Sequence, residues 1–223
     1  MGMLELSNEY PTKDYGGPGK TKFRNIVIES FEKDVLTLCL ESEQLRFVDA
    51  LPNCQHIVYE RNKDVYNKLK NSRRKNIKVF YGDISEAIAL KPLGVKFTQA
   101  FLDFMGTYDT LEPTLKVMEP LLSRCQTVAL TFSMRSPSKG KTITLQSFRI
   151  AIGLKNIFPL FDIICAETYA DGAAMLGLIL KKGDLHPLIK QQMERKAQSD
   201  ADRVRTRLWR KIKEQATNEA RPT

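Results

Sequence analysis

Two apolar runs near the end of the chain, LFDIICAETYA (160–170) and AAMLGLILKKG (173–183), decide the fold. Both runs are rich in large apolar residues, and only Asp171 and Gly172 separate them. An Asp-Gly pair between two such runs is a strong short-range signal for a two-residue β-hairpin turn. The sequence therefore predicts that the last two strands of the core pair in the antiparallel direction.

Upstream of these runs, short apolar segments alternate with amphipathic segments, a pattern typical of βαβ units and a mainly parallel sheet. Five further strands are predicted, at residues 35–41, 56–60, 77–82, 97–104 and 127–133. Predicted helices follow them in turn, at about 43–51, 62–74, 84–90, 111–123 and 144–158. Asn62 is a candidate N-cap, and Pro113 is placed in the first turn of its helix. The predicted fold is α/β, a doubly wound Rossmann-like sheet of about seven strands that ends in an antiparallel hairpin.

The chain is predicted to have three parts: a flexible N-terminal segment (1–19), the α/β domain (20–183) and a basic helical extension (184–223). A helix over 21–33 is expected to cover the sheet edge or the mouth of the ligand site. In the extension, apolar residues recur every three or four positions over 185–216, with basic residues on the other face. Such a helix could pack on the domain, form a homodimer or lie along nucleic acid, although a solvated face is its ordinary explanation.

The segment Gly19-Lys20-Thr21 ends like a phosphate-binding loop. Asp14 stands where that motif requires its first glycine, and the residues before it are too polar to form the preceding strand. We therefore interpret the segment as a loop that leads into the helix.

The composition is ordinary for a globular protein apart from its positive charge. The net charge of +9 favours a polyanionic partner such as nucleic acid, although it does not identify one. Four cysteines without a CxxC spacing and two histidines provide neither a zinc pattern nor a disulfide framework, so no metal site is expected. No apolar run reaches the length of a membrane span, and the N-terminus lacks the layout of a signal peptide. An intracellular, cytoplasmic location without membrane contact is expected.

The order of elements, with five strands closed by an antiparallel hairpin, resembles the class I methyltransferase superfamily, which binds S-adenosylmethionine. The resemblance covers about residues 20–183. It implies a cofactor site beyond the carboxyl ends of the strands, at the point where the strand order reverses. The residues that close each strand are therefore the candidates for the site.

The resemblance implies roles for the ends of the second and third strands. Glu60 would accept hydrogen bonds from the two ribose hydroxyls of the cofactor, since a carboxylate offers two oxygens. Gly82 would allow close approach of the backbone, and Asp83 would meet the adenine amino group. Glu60 could instead be a surface residue paired with Arg61 or Lys63, and Asp83 could also cap the following helix.

The first strand departs from the superfamily pattern, which has an acid and then Gly-x-Gly. No glycine occurs between Lys33 and Gly82, and side chains fill the turn after this strand. Glu41 or Ser42 is expected to contact the ammonium of the cofactor, and Ser42 could also cap the next helix. Acids at this place disfavour the phosphates of NAD or FAD, whereas S-adenosylmethionine carries no phosphate.

The resemblance also implies substrate residues. Asp103 at the end of the fourth strand would position the methyl acceptor, while Phe104 or Tyr108 could stack on a base; burial in the core is the commoner fate of such an aromatic. The loop after the fifth strand would hold a polyanion through its basic residues, Arg135, Lys139 and Lys141. The predicted function is an S-adenosylmethionine-dependent methyltransferase acting on RNA or DNA. The alternative is a methyltransferase-like scaffold without catalysis that binds nucleic acid or a protein.

Overall fold

The structure is a computed structural model of the chain, and it describes residues 17–90, 93–134, 143–170 and 173–183. All of these residues except Gly183 belong to one compact unit that ends at Lys182. The loop of residues 135–142, the Asp171-Gly172 turn and the basic extension predicted from residue 184 lie outside the described residues.

The domain is built on a sheet of seven strands in the order β3-β2-β1-β4-β5-β7-β6. The strands are β1 (Leu36–Cys39), β2 (Gln55–Glu60), β3 (Ile77–Tyr81), β4 (Gln99–Asp103), β5 (Thr127–Ser133), β6 (Phe161–Ala170) and β7 (Ala174–Lys182). The first five strands pair in parallel, and β7 pairs antiparallel with both β5 and β6. The Rossmann-like sheet predicted from the sequence is therefore confirmed, including its antiparallel end.

The helices are α1 (Pro18–Ser30), α2 (Arg46–Ala50), α3 (Lys63–Lys70), α4 (Tyr108–Leu122) and α5 (Ile143–Ile157), with a 3₁₀ helix at Ile84–Leu90. None of the helices in the described ranges has the length and apolarity that crossing a membrane would require.

Two helices begin three residues earlier than the sequence predicts. Helix α1 begins at Pro18, because the fixed φ and missing N–H of proline suit the first helical position. Lys20 therefore lies in the first turn of a helix, where we had predicted a loop. Helix α4 begins at Tyr108, which moves Pro113 from the predicted first turn to the second.

Apolar side chains cover both faces of the sheet, as a mainly parallel sheet requires. Along β4, Ala100 and Leu102 lie in one cluster, whereas Phe101 lies in the other. The first cluster packs against α4, α5 and the 3₁₀ helix, and the second packs against α1, α2 and α3. Since both faces are closed, the strand ends are the part of the sheet that remains for a ligand.

Helix α1 is fixed to the sheet through one close contact. A Cβ atom on Gly177 of β7 would lie 2.6 Å from the ring of Phe23, so only glycine lets the helix approach this closely. The Phe23 ring also stacks on Tyr169 of β6, with 6.2 Å between the ring centroids. This contact sets where the first turn of α1 lies, and hence where its basic side chains reach.

Candidate functional site

Four acidic residues follow the carboxyl ends of neighbouring parallel strands. Glu41 follows β1, Glu60 closes β2, Asp83 follows β3 and Asp103 closes β4. The strand order reverses between β1 and β4, so these acids lie at the switch point where open α/β sheets bind ligands. They share one edge of the sheet because the strands that carry them run in parallel.

The Glu41 side chain turns inward after β1. Its Oε2 accepts the backbone N–H groups of Phe47 (2.9 Å) and Val48 (3.2 Å), and its Oε1 accepts that of Ser42 (3.0 Å). Glu41 therefore caps the start of α2, a role for which the sequence had offered Ser42 as one possibility. The hydroxyl of Ser42 instead accepts the N–H of Gln44 at 3.4 Å.

The buried position of Glu41 has an electrostatic cost. Burial raises the pKa of Glu41 to about 6, even though the three backbone N–H groups and the positive charge of Arg24 lower it. Arg24 lies on α1 and is itself buried, with 6% of its surface exposed. A partly buried acid and a buried cation thus lie close to the turn after β1, which contains no glycine.

The turn after β1 is tight despite the absence of glycine. Leu45 has a left-handed backbone with φ of 51°, a conformation that costs an ordinary L-residue about 1–2 kcal/mol. Its side chain is buried in the cluster beneath α1 and α2, and this burial offsets the strain. The turn is consequently shaped by an anchored leucine and a capping carboxylate.

Glu60 and the segment that begins at Gly82 lie side by side. The N–H of Gly82 donates to the carbonyl of Glu60 at 3.1 Å, and Oε1 of Glu60 accepts the N–H of Asn62 at 2.6 Å. Burial raises the pKa of Glu60, while the Asn62 N–H and the charge of Arg61 lower it. Asn62 caps α3 as predicted, accepting the N–H groups of Asp64 and Val65.

Gly82 and Asp83 directly precede the 3₁₀ helix. Gly82 has φ of +150°, and a Cβ atom there would lie 2.5 Å from a carboxylate oxygen of Glu86. Asp83 Oδ1 accepts both the N–H (2.9 Å) and the hydroxyl (2.6 Å) of Ser85, while Oε1 of Glu86 accepts the N–H of Asp83. Asp83 therefore caps the 3₁₀ helix through Ser85, as predicted, and Glu86 returns one bond to the backbone of Asp83.

Asp103 is held from two sides. Its Oδ2 pairs with Nζ of Lys20 at 2.8 Å, and its Oδ1 accepts the hydroxyl of Thr131 on β5 at 2.8 Å. Both side chains of the ion pair are 16% exposed, which protects the pair from most of the screening by water. We refer to Lys20, Asp103 and Thr131 as the Asp103 cluster.

Sequence reasoning missed the partners of these acids. Lys20 and Arg24 are one helical turn apart on α1, and they lie beside Asp103 and Glu41 respectively. Lys22, between them, pairs with Glu167 of β6 at 3.2 Å. The run KTKFR at the start of an amphipathic helix was the available signal, because its first and last residues share a helix face.

The two aromatic residues predicted to contact substrate lie in the core. Phe104 is 5% exposed and Tyr108 is 6% exposed, and both pack against Phe132 of β5. Burial raises the pKa of Tyr108 to about 12, with the charges of Glu112 and Asp109 contributing. The structure thus corrects the expectation that Phe104 or Tyr108 stacks on a base. Both rings are instead buried between β5 and α4.

The remaining predicted substrate residues, Arg135, Lys139 and Lys141, lie outside the described residues. At the carboxyl edge of the sheet, Glu60, Gly82 and Asp83 come together at the β2–β3 end. The Asp103 cluster lies at its β4–β5 end, and Glu41 with Arg24 lies between them. No group of three metal-ligating side chains occurs within the ranges that the structure describes.

The site thus belongs to a Rossmann-like α/β domain with an antiparallel seventh strand. No protein-family model and no curated protein matches the sequence.

Three solved structures illustrate what the fold resembles. A fibrillarin/Nop5p complex has a TM-score of 0.57 at 14% identity over 74% of this chain and 83% of that chain. The Methanococcus jannaschii fibrillarin pre-rRNA processing protein has a TM-score of 0.54 at 15% identity over 68% and 69%.

The third structure is a SAM-dependent methyltransferase from Aquifex aeolicus, with a TM-score of 0.51 at 10% identity over 77% of this chain and 97% of that chain. At these identities the similarity establishes the fold. The chain therefore has the Rossmann-like fold found in SAM-dependent methyltransferases, as the order of its elements predicts.

Proposed function

We propose that this chain is an S-adenosylmethionine-dependent methyltransferase that acts on RNA or DNA. The observation that carries the proposal is the set of acids at the ends of β2, β3 and β4, on one edge of a sheet with the methyltransferase strand order. Glu60 on β2 would bind the ribose, Asp83 after β3 would bind the adenine, and Asp103 on β4 would bind the methyl acceptor. RNA is the first substrate to test, since one protein of similar fold is a pre-rRNA processing protein.

The residues at the β2–β3 end fit the cofactor. The raised pKa of the partly buried Glu60 carboxylate indicates poor solvation, which two ribose hydroxyls would relieve as hydrogen-bond donors. The carboxylate of Glu86 fills the space beside the Cα atom of Gly82, so Asp83 itself is the group that would meet the adenine amino group. When bound, the cofactor supplies an electrophilic methyl group.

In this proposal Glu41 supports the cofactor-facing turn from within. Its carboxylate already accepts three backbone N–H groups, and a contact with the cofactor ammonium would compete with them. Ser42 lies at the outer side of the same turn and is the better placed of the two for that contact.

The Asp103 cluster would position the methyl acceptor. The cofactor would supply the methyl group and keep the electron pair of the carbon–sulfur bond, while the acceptor oxygen or nitrogen would give a lone pair to the methyl carbon and release its proton to water. Asp103 can accept a hydrogen bond from the O–H or N–H of the acceptor, and Lys20 and Thr131 fix the direction of its carboxylate. Such orientation is the main source of rate when two reactants must meet in line.

Isothermal titration with S-adenosylmethionine and S-adenosylhomocysteine tests the cofactor. We expect saturable binding that Glu60→Ala weakens by at least about 10-fold, because hydrogen bonds to a charged group contribute about 1.5–3 kcal/mol. Glu29→Ala is the matched control, since Glu29 is an exposed glutamate in the last turn of α1. No binding at millimolar cofactor would contradict the proposal, and equal affinity of Glu60→Ala and the native chain would contradict the ribose role.

A second candidate is a methyltransferase-like scaffold that binds nucleic acid or a protein without catalysis. The observation that favours it is the turn after β1, which contains no glycine and has the carboxylate of Glu41 and the buried Arg24 close to it. Transfer of a labelled methyl group to mixed RNA and DNA separates the two candidates. Nucleic-acid binding without cofactor binding or transfer would support the scaffold.

A further inference from the structure

The segment that spans α3 and β3 carries most of the net charge of the chain. Residues 61–81 contain eight lysines and arginines and one acid, a net charge of +7, whereas the whole chain has +9. Within this segment Lys68 pairs with Glu43, and Arg74 pairs with Asp49. The surface of this segment is therefore the strongest positive patch that the sequence places on a single supersecondary unit.

An exposed aromatic ring and a half-buried one lie within this basic segment. Tyr81, the last residue of β3, has 55% of its surface exposed, whereas Tyr66 on α3 is half-buried. The ring of Tyr81 lies 5.4 Å from that of Tyr66, at an angle of 56°. Nζ of Lys70 lies 5.6 Å from the centroid of Tyr66. The two rings and Lys70 form what we call the Tyr81 platform.

The platform lies at the outer edge of the sheet and beside the candidate site. Among the described strands, β3 pairs only with β2, so it is the edge strand on this side. Tyr81 directly precedes Gly82 and Asp83, which belong to the carboxyl edge. A lysine on an edge strand, such as the exposed Lys78, commonly prevents the edge from pairing with a strand of another molecule. That role does not account for the exposed Tyr81 ring.

We propose that the Tyr81 platform binds single-stranded nucleic acid and leads it towards the Asp103 cluster; this inference rests on the nucleic-acid part of the proposed function. Exposed aromatic rings stack on bases of any sequence, while neighbouring lysines neutralise phosphates. A duplex hides its base faces within its own stack, so the platform selects a single strand. The strand would run along the β3 edge and reach the carboxyl edge of the sheet beside Gly82.

Binding of short labelled oligonucleotides, followed by fluorescence anisotropy, tests the proposal without cofactor. The probes are oligouridine, its deoxy counterpart and a duplex of the same length. We expect Tyr81→Ala to weaken binding of both single strands by about 5- to 100-fold, the range for loss of one stacked base. Tyr81→Phe keeps the ring and should bind like the native chain.

A matched control comes from the other face of the sheet. Phe148 on α5 is 65% exposed, and Phe148→Ala should leave the affinity unchanged. Lys70→Ala should lower the slope of log affinity against log salt by about 0.7, the value for one phosphate contact on a single strand. Thermal unfolding of each variant separates loss of the platform from loss of the fold.

The outcomes distinguish this inference from the proposed function. If the native chain binds single strands and Tyr81→Ala binds them equally well, the inference about the Tyr81 platform is overturned. The result of the cofactor titration is unaffected by this outcome. If Tyr81→Ala weakens duplex binding as much as single-strand binding, the platform is not a stacking site and the inference is also overturned. If the native chain binds no probe, the nucleic-acid part of the proposed function fails together with the platform.

Discussion

At the scale of single residues, Glu41 shows how one side chain can organise a turn that contains no glycine. Its carboxylate accepts three backbone N–H groups, so it organises the turn after β1 from inside the protein. The same burial makes ionisation of this carboxyl unfavourable. The raised pKa of Glu41 should therefore make the free energy of unfolding depend on pH.

The folded-state pKa of Glu41 is about 6, against an ordinary value of 4.5, so the folded protein binds this proton more tightly than the unfolded chain does. Stability from this group should therefore be highest below pH 4.5, fall as the pH rises to about 6, and stay level above it. The expected loss is about 2 kcal/mol, from about 1.4 kcal/mol per pKa unit.

Urea unfolding of the native chain and of Glu41→Gln at several pH values between 4 and 7 measures this effect. The variant cannot ionise at position 41 and should lack this part of the decline. Identical pH profiles for the two proteins would show that Glu41 does not titrate in this way. Glu29→Gln, at an exposed position, serves as the control.

At the scale of elements, α1 is the helix that brings positive charge to the site. It packs on the sheet through Phe23 and Gly177, and its first turns carry Lys20 and Arg24 to the carboxylates at the strand ends. The position of the helix on β7 therefore decides the geometry of the Asp103 cluster.

We expect Gly177→Ala to lower the free energy of unfolding by about 1–3 kcal/mol, because the added methyl group overlaps the ring of Phe23. Phe23→Leu should remove much of the overlap, so the double variant should be more stable than the sum of the single effects allows. Denaturant unfolding of all four proteins gives this coupling. Additive effects would mean that α1 does not rest on Gly177.

At the scale of the whole molecule, the site depends on contacts between distant parts of the chain. Lys20 and Asp103 come from the first helix and the fourth strand, and Thr131 comes from the fifth. If methyl transfer occurs, we expect Lys20→Met to lower kcat by about 10- to 100-fold, as misplacement of a positioning carboxylate can do. Cofactor affinity should change little, since Glu60 and Asp83 are untouched.

Lys22→Met is the matched control, because Lys22 also pairs with an acid, Glu167, but its side chain is 68% exposed. Its pair contributes little in water, and its loss should leave kcat within about 2-fold of the native value. Equal effects of the two substitutions would show that charge on α1, rather than the Asp103 cluster, matters for the reaction. Recovery of kcat by Lys20→Arg would support the positioning role.

Much of this architecture follows from local sequence. Alternating apolar runs predict β1 to β5 and their helices, and the residues around Asp171-Gly172 predict that β6 and β7 pair antiparallel. The insertion of β7 between β5 and β6 was beyond local reasoning, because neither turn chemistry nor periodicity specifies which outer strand a hairpin joins.

The sequence by itself determined the succession of strands and helices along the chain and the acids that close the strands, since both depend on residues close together in the chain. Only the tertiary structure decided that Glu41 faces inward, that Phe104 and Tyr108 lie in the core, and that Asp103 meets Lys20. The physical reason is that the direction of a side chain beyond a strand end is set by the element packed over it. Here α1 and the helices packed on the sheet determine those side-chain directions, through contacts between residues far apart in the sequence.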